Sequence, residues 1–311
     1  MNKGITLWGA TATGKTSFLA ALHTALVDQK TDSDWRLRGE DDPSTQRLVS
    51  LTHTLVNERV FPKATTNLQE YSWSLVGTMP RAIQEWHWYG PRRRPKNLVI
   101  PLHVVDAQGE VAKANRSQGR DVTRQFIANL ENSTGILFFY DPVRDFEVGD
   151  AYEHTFGVLT ELDSQLKPYG KLPHHVAVCI TKFDEHRMLD AAMRMRMVEH
   201  DIDPPHFPRV PEADAREFFA KLCRLSKTQT AHRVLPLLEQ TFDRSKIRYF
   251  VSSAIGFYVD PFTGVFDLRD YQQHIPRTTP DDDPRIRGDI RSINVVEPII
   301  WLGRQLARTA G

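Results

Sequence analysis

The chain has 311 residues, of which 40% are hydrophobic and 25% are charged, so it is long enough to bury a full hydrophobic core. Forty basic residues against thirty-nine acidic ones give a net charge of +1, which argues against a general affinity for nucleic acid or for anionic membranes. Two cysteines are too few for a disulfide framework, and no stretch is apolar enough for a membrane span or a secretory leader, so we expect a cytoplasmic protein.

Short apolar runs alternate with longer amphipathic stretches along the chain, which is typical of an α/β fold with a mostly parallel sheet. The first run, Ile5 to Trp8, leads through a glycine-containing loop into a helix whose apolar face begins at Phe18 and ends at Leu26. Residues 69–75 follow a period of two, and a turn-rich segment connects them to the run Leu98 to Val105. These two runs are predicted to form an antiparallel pair.

The second half of the chain contains three further predicted strands, which are Ile136 to Tyr140, Val176 to Thr181 and Arg248 to Val251. The last helix is predicted to begin at Asn294, because Asn294 and Glu297 have the spacing of a capping box. Two regions exceed a minimal α/β unit, and we interpret both as insertions. They are a helical, charged region at about 187–244 and a Pro/Asp-rich loop at 257–293.

The stretch GATATGKTSF, directly after the first predicted strand, matches the pattern GxxxxGK[ST] with Gly9, Gly14, Lys15 and Thr16. In such a loop the backbone N–H groups wrap phosphate oxygens, which requires glycine conformations and a close approach of the main chain. The lysine reaches the terminal phosphates and the threonine hydroxyl binds Mg²⁺. The position between a strand and a helix favours phosphate binding over a merely structural turn. The other nucleotide-binding candidates of the loop are Ala12, Thr13 and Ser17.

The run LVIPLHVVDAQGE ends its apolar part at Asp106, and Gly109 follows three residues later. A carboxylate at the end of a buried strand can hold Mg²⁺, usually through water, and a glycine at that spacing lets its amide approach a γ-phosphate. The pattern DxxG is also frequent in ordinary turns. Its position after the phosphate loop and at a strand end is what favours the functional interpretation.

The stretch AVCITKFDEH places Thr181, Lys182 and Asp184 immediately after an apolar run. The carboxylate of Asp184 can accept hydrogen bonds from the ring N–H and from the exocyclic amine of guanine, two donors that adenine does not offer in that arrangement. The stem of Lys182 would lie along the plane of the base. The structural alternative is that Asp184 caps the next helix.

The stretch YFVSSAIG ends the last predicted strand with small residues, of which Ser253 and Ala254 are the candidates. Small side chains permit a close approach of the main chain, so a backbone amide here could meet the carbonyl oxygen of guanine. Taken alone this is the weakest of the four patterns, and its interpretation depends on the other three.

In their order along the chain, the motifs at 9–16, 106–109, 181–184 and 253–254 resemble those of Ras-like GTPases, in the translation-factor-related class of P-loop proteins. The threonine of TKxD, where asparagine is commoner, is similar to Rho-like members. The phosphate loop and the closing stretch NVVEPIIWLGRQL also resemble bacterial double-GTPase proteins found beside GTPase-associated conflict systems.

The resemblance to Ras-like GTPases implies one enlarged domain over residues 1–311, with the three-layer α/β sandwich of P-loop NTPases. It implies a hydrolase that binds GTP or GDP with Mg²⁺ and acts as a molecular switch. The expected partners are then the guanine nucleotide and a protein effector or regulator whose identity the sequence does not indicate.

The family also carries a threonine in a mobile switch, where it completes the coordination of Mg²⁺ and senses the γ-phosphate. The stretch FPKATTN offers Thr65 and Thr66 just before the alternating strand. We favour Thr65 because the context of Pro62 resembles the switch of small GTPases. Two threonines of high β-propensity at a strand start are the structural alternative.

One position departs from the family pattern in a way that bears on the rate of hydrolysis. Ras-like enzymes place a glutamine directly after the DxxG glycine to orient the attacking water, whereas this chain has Glu110 there. The substitution predicts slow intrinsic hydrolysis. The resemblance therefore implies four catalytic candidates, which are Lys15, Thr65, Gly109 and Glu110.

Two other functions explain part of the pattern. An ATP-using P-loop ATPase or kinase shares the first two motifs but does not explain TKxD. A nucleotide-dependent scaffold that does not hydrolyse, and whose insertions bind a protein, is kept open by Glu110. The aromatic and arginine-rich segment 86–94 could stack on single-stranded nucleic acid, but we favour a solvated hairpin tip, so nucleic acid is not an expected partner.

Overall fold

The fold is built around a central β-sheet covered by helices. The computed structural model describes residues 4–28, 35–62, 69–78, 97–106, 117–166, 170–276 and 283–309. In chain order the strands are β1 (Ile5–Gly9), β2 (Arg36–Gly39), β3 (Gln69–Thr78), β4 (Asn97–Asp106), β5 (Gly135–Tyr140), β6 (His175–Ile180), β7 (Glu199–His200), β8 (Pro208–Arg209), β9 (Ile247–Val251), β10 (His274–Ile275) and β11 (Arg285–Ile286).

The main sheet has seven strands in the order β2-β3-β4-β1-β5-β6-β9. Strand β1 pairs in parallel with β4 and β5, and β6 pairs in parallel with β5 and β9. Strand β3 runs antiparallel to β4, as its alternating sequence predicts, and the edge strand β2 runs antiparallel to β3. The expected P-loop type of α/β sheet, mostly parallel with an antiparallel pair, is therefore confirmed.

Helices lie on both faces of this sheet. They are α1 (Lys15–Asp28), α2 (Asp42–Thr52), α3 (Ser117–Asn132), α4 (Pro142–Glu147), α5 (Ala151–Leu166), α6 (His186–Arg194), α7 (Glu212–Leu225), α8 (Val234–Thr241) and α9 (Glu297–Thr309). A π-helical turn (His53–Asn57) continues α2, and 3₁₀ turns (Ala231–Arg233 and Arg244–Lys246) flank α8. Among the residues described, no helix combines the length and apolar character needed to cross a membrane.

The central strands consist of consecutive apolar residues because each of their faces is covered. In β5, Ile136 and Phe138 belong to the core formed with α3 to α8, whereas Leu137 and Phe139 belong to the core formed with α1, α2 and α9. All six residues of β5 are buried. This arrangement is the three-layer sandwich that the resemblance implied, and the apolar runs are those of strands covered on both faces.

Helix α9 packs on the sheet as predicted, but its predicted start is wrong. The helix begins at Glu297, and Asn294 adopts a left-handed backbone conformation with φ +48°. The side-chain Nδ2 of Asn294 donates to the carbonyl oxygen of Val251 at 2.8 Å, which satisfies the end of β9. The fully buried Ile299 and Leu302 fix the helix, each contributing about 1.5–3 kcal/mol.

The charged region 187–244 is mostly helical, as expected, and it joins the core. Phe218, Phe219 and Leu222 of α7 are fully buried in the same core as β6 and β9. The region also contains the short antiparallel pair β7–β8. The loop 257–293 carries the antiparallel pair β10–β11, and its residues 277–282 lie outside the described part. That both regions are insertions into a single domain stays a prediction.

Candidate functional site

A cavity of about 590 Å³ lies where β1, β6 and β9 end at the same edge of the sheet. Its walls include the loop after β1, the residues that follow β6, and Ser252 and Ala254 after β9. Open parallel sheets form their ligand crevices at the carboxyl ends of strands. Three of the four sequence motifs therefore meet around one volume.

The loop after β1 connects the sheet to α1 and has the shape that its glycines permit. A Cβ atom at Gly9 would lie 2.7 Å from the carbonyl oxygen of Phe139, so a side chain there would collide with the neighbouring strand. Gly14 has φ +88°, which residues with a side chain rarely adopt. Directly after it, Lys15 starts α1, so the positive end of the helix dipole points at the cavity.

The ammonium group of Lys15 lies over the loop that precedes it. Its Nζ donates to the carbonyl oxygens of Gly9 and Ala10, both at 2.8 Å. Within the same loop, the hydroxyl of Thr13 donates to the carbonyl of Ala10 at 2.8 Å. Ala12, Thr16 and Ser17 also line the cavity. The loop thus presents a fixed cation and a helix N-terminus to the same volume, an arrangement suited to an anion.

Thr181 links the TKxD stretch to the loop after β1. Its buried hydroxyl lies 3.1 Å from the carbonyl oxygen of Thr13 and 3.2 Å from that of Tyr140, and it donates to them. The backbone amide of Thr181 also donates to the Tyr140 carbonyl at 2.9 Å. The end of β6 is therefore tied both to β5 and to the loop after β1.

Lys182 has a left-handed backbone conformation, with φ +61°, and its side chain is held by a residue that the sequence analysis missed. The Nζ atom lies 2.6 Å from a carboxylate oxygen of Asp141, whose side chain is fully buried. Asp141 follows β5 and caps α4 by accepting from the amide of Arg144 at 3.0 Å. An aspartate between an apolar run and Pro142 was a recognisable helix-start signal, but nothing local linked it to Lys182.

Asp184 lines the cavity and is bonded to a second motif. The hydroxyl of Ser253 donates to its Oδ1, and the same hydroxyl oxygen accepts from the amide of Gly256 at 2.8 Å. Burial raises the pKa of Asp184 to about 6, although the hydrogen bond from Ser253 and the charge of Lys182 act in the opposite direction. A carboxylate at this depth gains from additional hydrogen-bond donors, because such donors offset its loss of hydration.

Asp184 does not cap the next helix. The N-cap of α6 is Glu185, whose side chain accepts from the amide of Arg187 at 3.0 Å. The structural alternative considered for Asp184 is therefore wrong.

The amide of Ser253 is already used within the fold, since it donates to the carbonyl of Ile293 at 3.0 Å. An amide that meets a ligand in this region would have to come from another residue, and Ala254 lines the cavity.

The DxxG stretch is described only at its start. Asp106 is the last residue of β4, and β4 runs parallel to β1 with Leu102 opposite Ile5, which brings Asp106 level with the end of β1. Gly109 and Glu110 lie outside the described residues, as do Thr65, Thr66 and the segment 86–94. Their assigned roles stay predictions.

Residues from two distant segments, which the sequence analysis did not single out as binding candidates, also line the cavity. Phe61 and Pro62 come from the segment after α2, and His274 and Pro284 come from the loop 257–293. No consensus spacing marked them, because they reach the cavity only through the packing of two loops that lie far apart in the chain.

Comparisons with known proteins give no match to a family model and none to a curated protein. Among solved structures, the GTP-bound SRb subunit of the signal recognition particle receptor with SRX, from Chaetomium thermophilum, is 14% identical over 83% of this chain and 93% of that chain, with a TM-score of 0.40. Sup35 complexed with GDP is 11% identical over 81% of this chain and 37% of that chain, with a TM-score of 0.31.

A variant of Era from Aquifex aeolicus bound to GDP and aluminium fluoride is 14% identical over 62% of this chain and 47% of that chain, with a TM-score of 0.28. All three identities and TM-scores are low. These likenesses therefore carry no argument about what this chain binds, and the functional conclusion rests on its own residues.

Proposed function

We propose that this chain is a Ras-like, cytoplasmic GTP-binding protein that binds GTP with Mg²⁺ and hydrolyses it slowly to GDP and phosphate. Its nucleotide state would serve as a switch read by a protein partner. The observation that supports the proposal most directly is that the phosphate loop and Asp184, which are far apart in the chain, line one cavity. An ATP-specific pocket gives no reason for a half-buried carboxylate at that place.

The phosphates would occupy the end of the cavity nearest α1. There the amides of the loop and the ammonium group of Lys15 would replace the water lost by the phosphate oxygens. The carbonyl oxygens that now hold Lys15 would keep its head group at the loop while it contacts the terminal phosphates. The ammonium group would then stabilise the negative charge of the phosphates without movement of the backbone.

The residues present fit a magnesium site. Thr16 lines the cavity with a hydroxyl side chain, and Asp106 ends the strand beside β1 at the same edge of the sheet. Both supply the oxygen ligands that Mg²⁺ prefers, and Thr65 would complete the set. When bound, the ion would neutralise charge on the β- and γ-phosphates.

The guanine base would occupy the end formed by the residues after β6 and β9. The carboxylate of Asp184 would accept from the two adjacent donors of guanine, with its geometry held by the hydroxyl of Ser253. The buried carboxylate of Asp141 would keep the stem of Lys182 along the base by binding its ammonium group.

Hydrolysis would transfer the γ-phosphoryl group of GTP to water and release GDP and inorganic phosphate. Phosphoryl transfer requires little covalent help from a protein, so positioning by Lys15, Thr65 and Gly109 would supply most of the rate. With Glu110 at the position of the water-orienting glutamine, we propose slow turnover. A measurement of phosphate release at saturating GTP would distinguish this hydrolase from a nucleotide-dependent scaffold that does not hydrolyse GTP.

The proposal is tested by competitive binding of GTP, ATP and XTP to the wild type and to Asp184→Asn. We expect the wild type to prefer GTP by at least about tenfold, since hydrogen bonds to a charged group contribute about 1.5–3 kcal/mol each. The asparagine amide donates where the carboxylate accepted, so the variant should shift its preference towards XTP.

The matched control is Asp163→Asn, which removes an exposed carboxylate of α5 outside the cavity and should leave the preference unchanged. Equal affinity of the wild type for ATP and GTP would reject the proposal.

A further inference from the structure

The loop 257–293 begins and ends beside the predicted base site. The amide of Ser253 donates to the carbonyl of Ile293 at 3.0 Å, and the amide of Ile293 donates back to Ser253 at 2.8 Å. One step further out, the amide of Arg291 donates to the carbonyl of Ile255 at 3.1 Å. Because the hydroxyl of Ser253 also binds Asp184, both ends of the loop are fixed at this end of the cavity.

Residues 285–289 of the same loop contact residues 59–60, which precede Thr65 in the chain. Val60 forms an isolated antiparallel bridge with Arg285 of β11. The amide of Ile286 donates to the carbonyl of Arg59 at 2.8 Å, and the Ile286 side chain is buried. The guanidinium of Arg59 lies 3.0 Å from a carboxylate oxygen of Asp289. The described residues at the two ends of the loop and at 285–289 are thus held by contacts with the rest of the fold.

Because of this packing, His274 lies in the cavity wall. It lies in β10 opposite Ile286, and its ring centroid is 5.6 Å from that of Phe61, with an angle of 73° between the rings. Both rings line the cavity. Desolvation by the surrounding residues lowers the pKa of His274, although its side chain stays exposed in the fold.

His274 lines the same cavity as Lys182, Asp184 and Glu185. Because the loop that carries His274 is anchored at Ser253, which binds Asp184, we assign the imidazole to the base end. A ring at this place can stack on a purine, which is an interaction open to any flat aromatic side chain.

We infer that His274 is a further nucleotide-binding residue, which stacks against the purine base and is held in position by Phe61 and by the β10–β11 pair. The inference rests on the proposed function, because it names an additional contact of the same nucleotide. It assigns a binding role to the loop 257–293, which supplies the ring from outside the four motifs.

The test compares three variants of the full chain in binding of GDP and in competition by inorganic tripolyphosphate, which has no base. His274→Ala should raise the dissociation constant for GDP about tenfold, since it removes the aromatic ring on which the base would stack. His274→Phe keeps a ring and should stay within about threefold of the wild type. Ile275→Ala, the next and partly exposed residue of β10, should change nothing.

Inorganic tripolyphosphate should bind His274→Ala as well as it binds the wild type, because the phosphate end is unchanged. If His274→Ala binds GDP like the wild type, or if it weakens GDP and tripolyphosphate equally, the inference is overturned and the proposed function stands. If the phenylalanine variant is as weak as the alanine variant, stacking is rejected. Failure of the wild type to bind any guanine nucleotide would instead reject the proposed function itself.

Discussion

The two ends of the cavity are built in different ways. The phosphate end consists of consecutive residues, from Gly9 to Ser17, in which one strand, one loop and one helix follow each other. The base end is assembled from the residues after β6, the residues after β9 and His274 of a distant loop. The first depends on local backbone geometry, whereas the second depends on how separate strands and loops pack.

This difference predicts how substitutions at each end would affect nucleotide binding. A substitution at the phosphate end would remove a charge or a hydrogen-bond donor of the protein that contacts the proposed ligand. The rest of the fold should change little. A change at the base end acts through linked side chains, since Asp184 depends on Ser253, and Lys182 depends on Asp141. Specificity for the base is therefore expected to be more sensitive to packing than affinity for phosphate.

The largest expected effect is at the phosphate end. Lys15→Ala should weaken the binding of GTP and GDP at least about a hundredfold, because it removes charge-assisted hydrogen bonds worth about 1.5–3 kcal/mol each. Titration calorimetry or displacement of a fluorescent nucleotide measures the loss. Lys171→Ala is the matched control, since its ammonium group also donates to a backbone carbonyl, that of Glu239 at 2.9 Å, but outside the cavity. Affinity within threefold of the wild type would show that Lys15 does not contact phosphate.

The second effect concerns stability at the base end and its dependence on pH. Burial raises the pKa of Asp184 from 3.8 to about 6 in the folded protein, so this group stabilises the fold fully below pH 3.8 and loses that contribution as the pH rises through about 6. Asp184→Asn removes the cost of burying the charge. The nucleotide-free variant should be more stable than the wild type at pH 7–8 by up to about 2 kcal/mol.

Thermal unfolding of the nucleotide-free proteins between pH 4 and pH 8 measures this difference, which should disappear towards pH 4. Asp163→Asn, at an exposed position of α5, should follow the wild type throughout. A variant at position 184 that is equally stable at every pH would mean that the carboxylate is well solvated and that the site is open at the base end.

The smallest expected effect is on the affinity for GDP and concerns Thr181, which lies between the two ends of the cavity. Thr181→Val keeps the shape of the side chain but removes the hydroxyl that donates to the carbonyls of Thr13 and Tyr140. One such hydrogen bond contributes about 1 kcal/mol, so the dissociation constant for GDP should rise about fivefold. Thr181→Ser retains the hydroxyl and should bind almost like the wild type. If the valine variant also binds normally, the two ends are positioned independently.

Much of the sheet could be predicted because its strands carry their own periodicity. The runs in β1, β5, β6 and β9 are continuously apolar, and the alternation of residues 69–75 predicted the antiparallel strand β3. The edge strand β2 was missed because four residues with alternating exposure give too short a pattern to recognise.

The wrong start of α9 has a specific physical reason. Asn294 and Glu297 have capping spacing, but an N-cap residue has an extended backbone, whereas Asn294 has φ +48°. The side-chain amide nitrogen of Asn294 instead donates to the carbonyl oxygen of Val251 at the end of β9. A pattern of two residues carries no information about such a partner.

The sequence by itself determined the glycine-containing loop after β1, six of the seven strands of the main sheet, and the candidate residues at the strand ends. These features follow from backbone conformation and from hydrophobic periodicity, which act over a few neighbouring residues. Only the tertiary structure decided that Asp141 holds Lys182, that Ser253 holds Asp184 and that His274 reaches the cavity beside Phe61. Such contacts depend on which strands lie side by side, and that order is set by the packing of the whole chain.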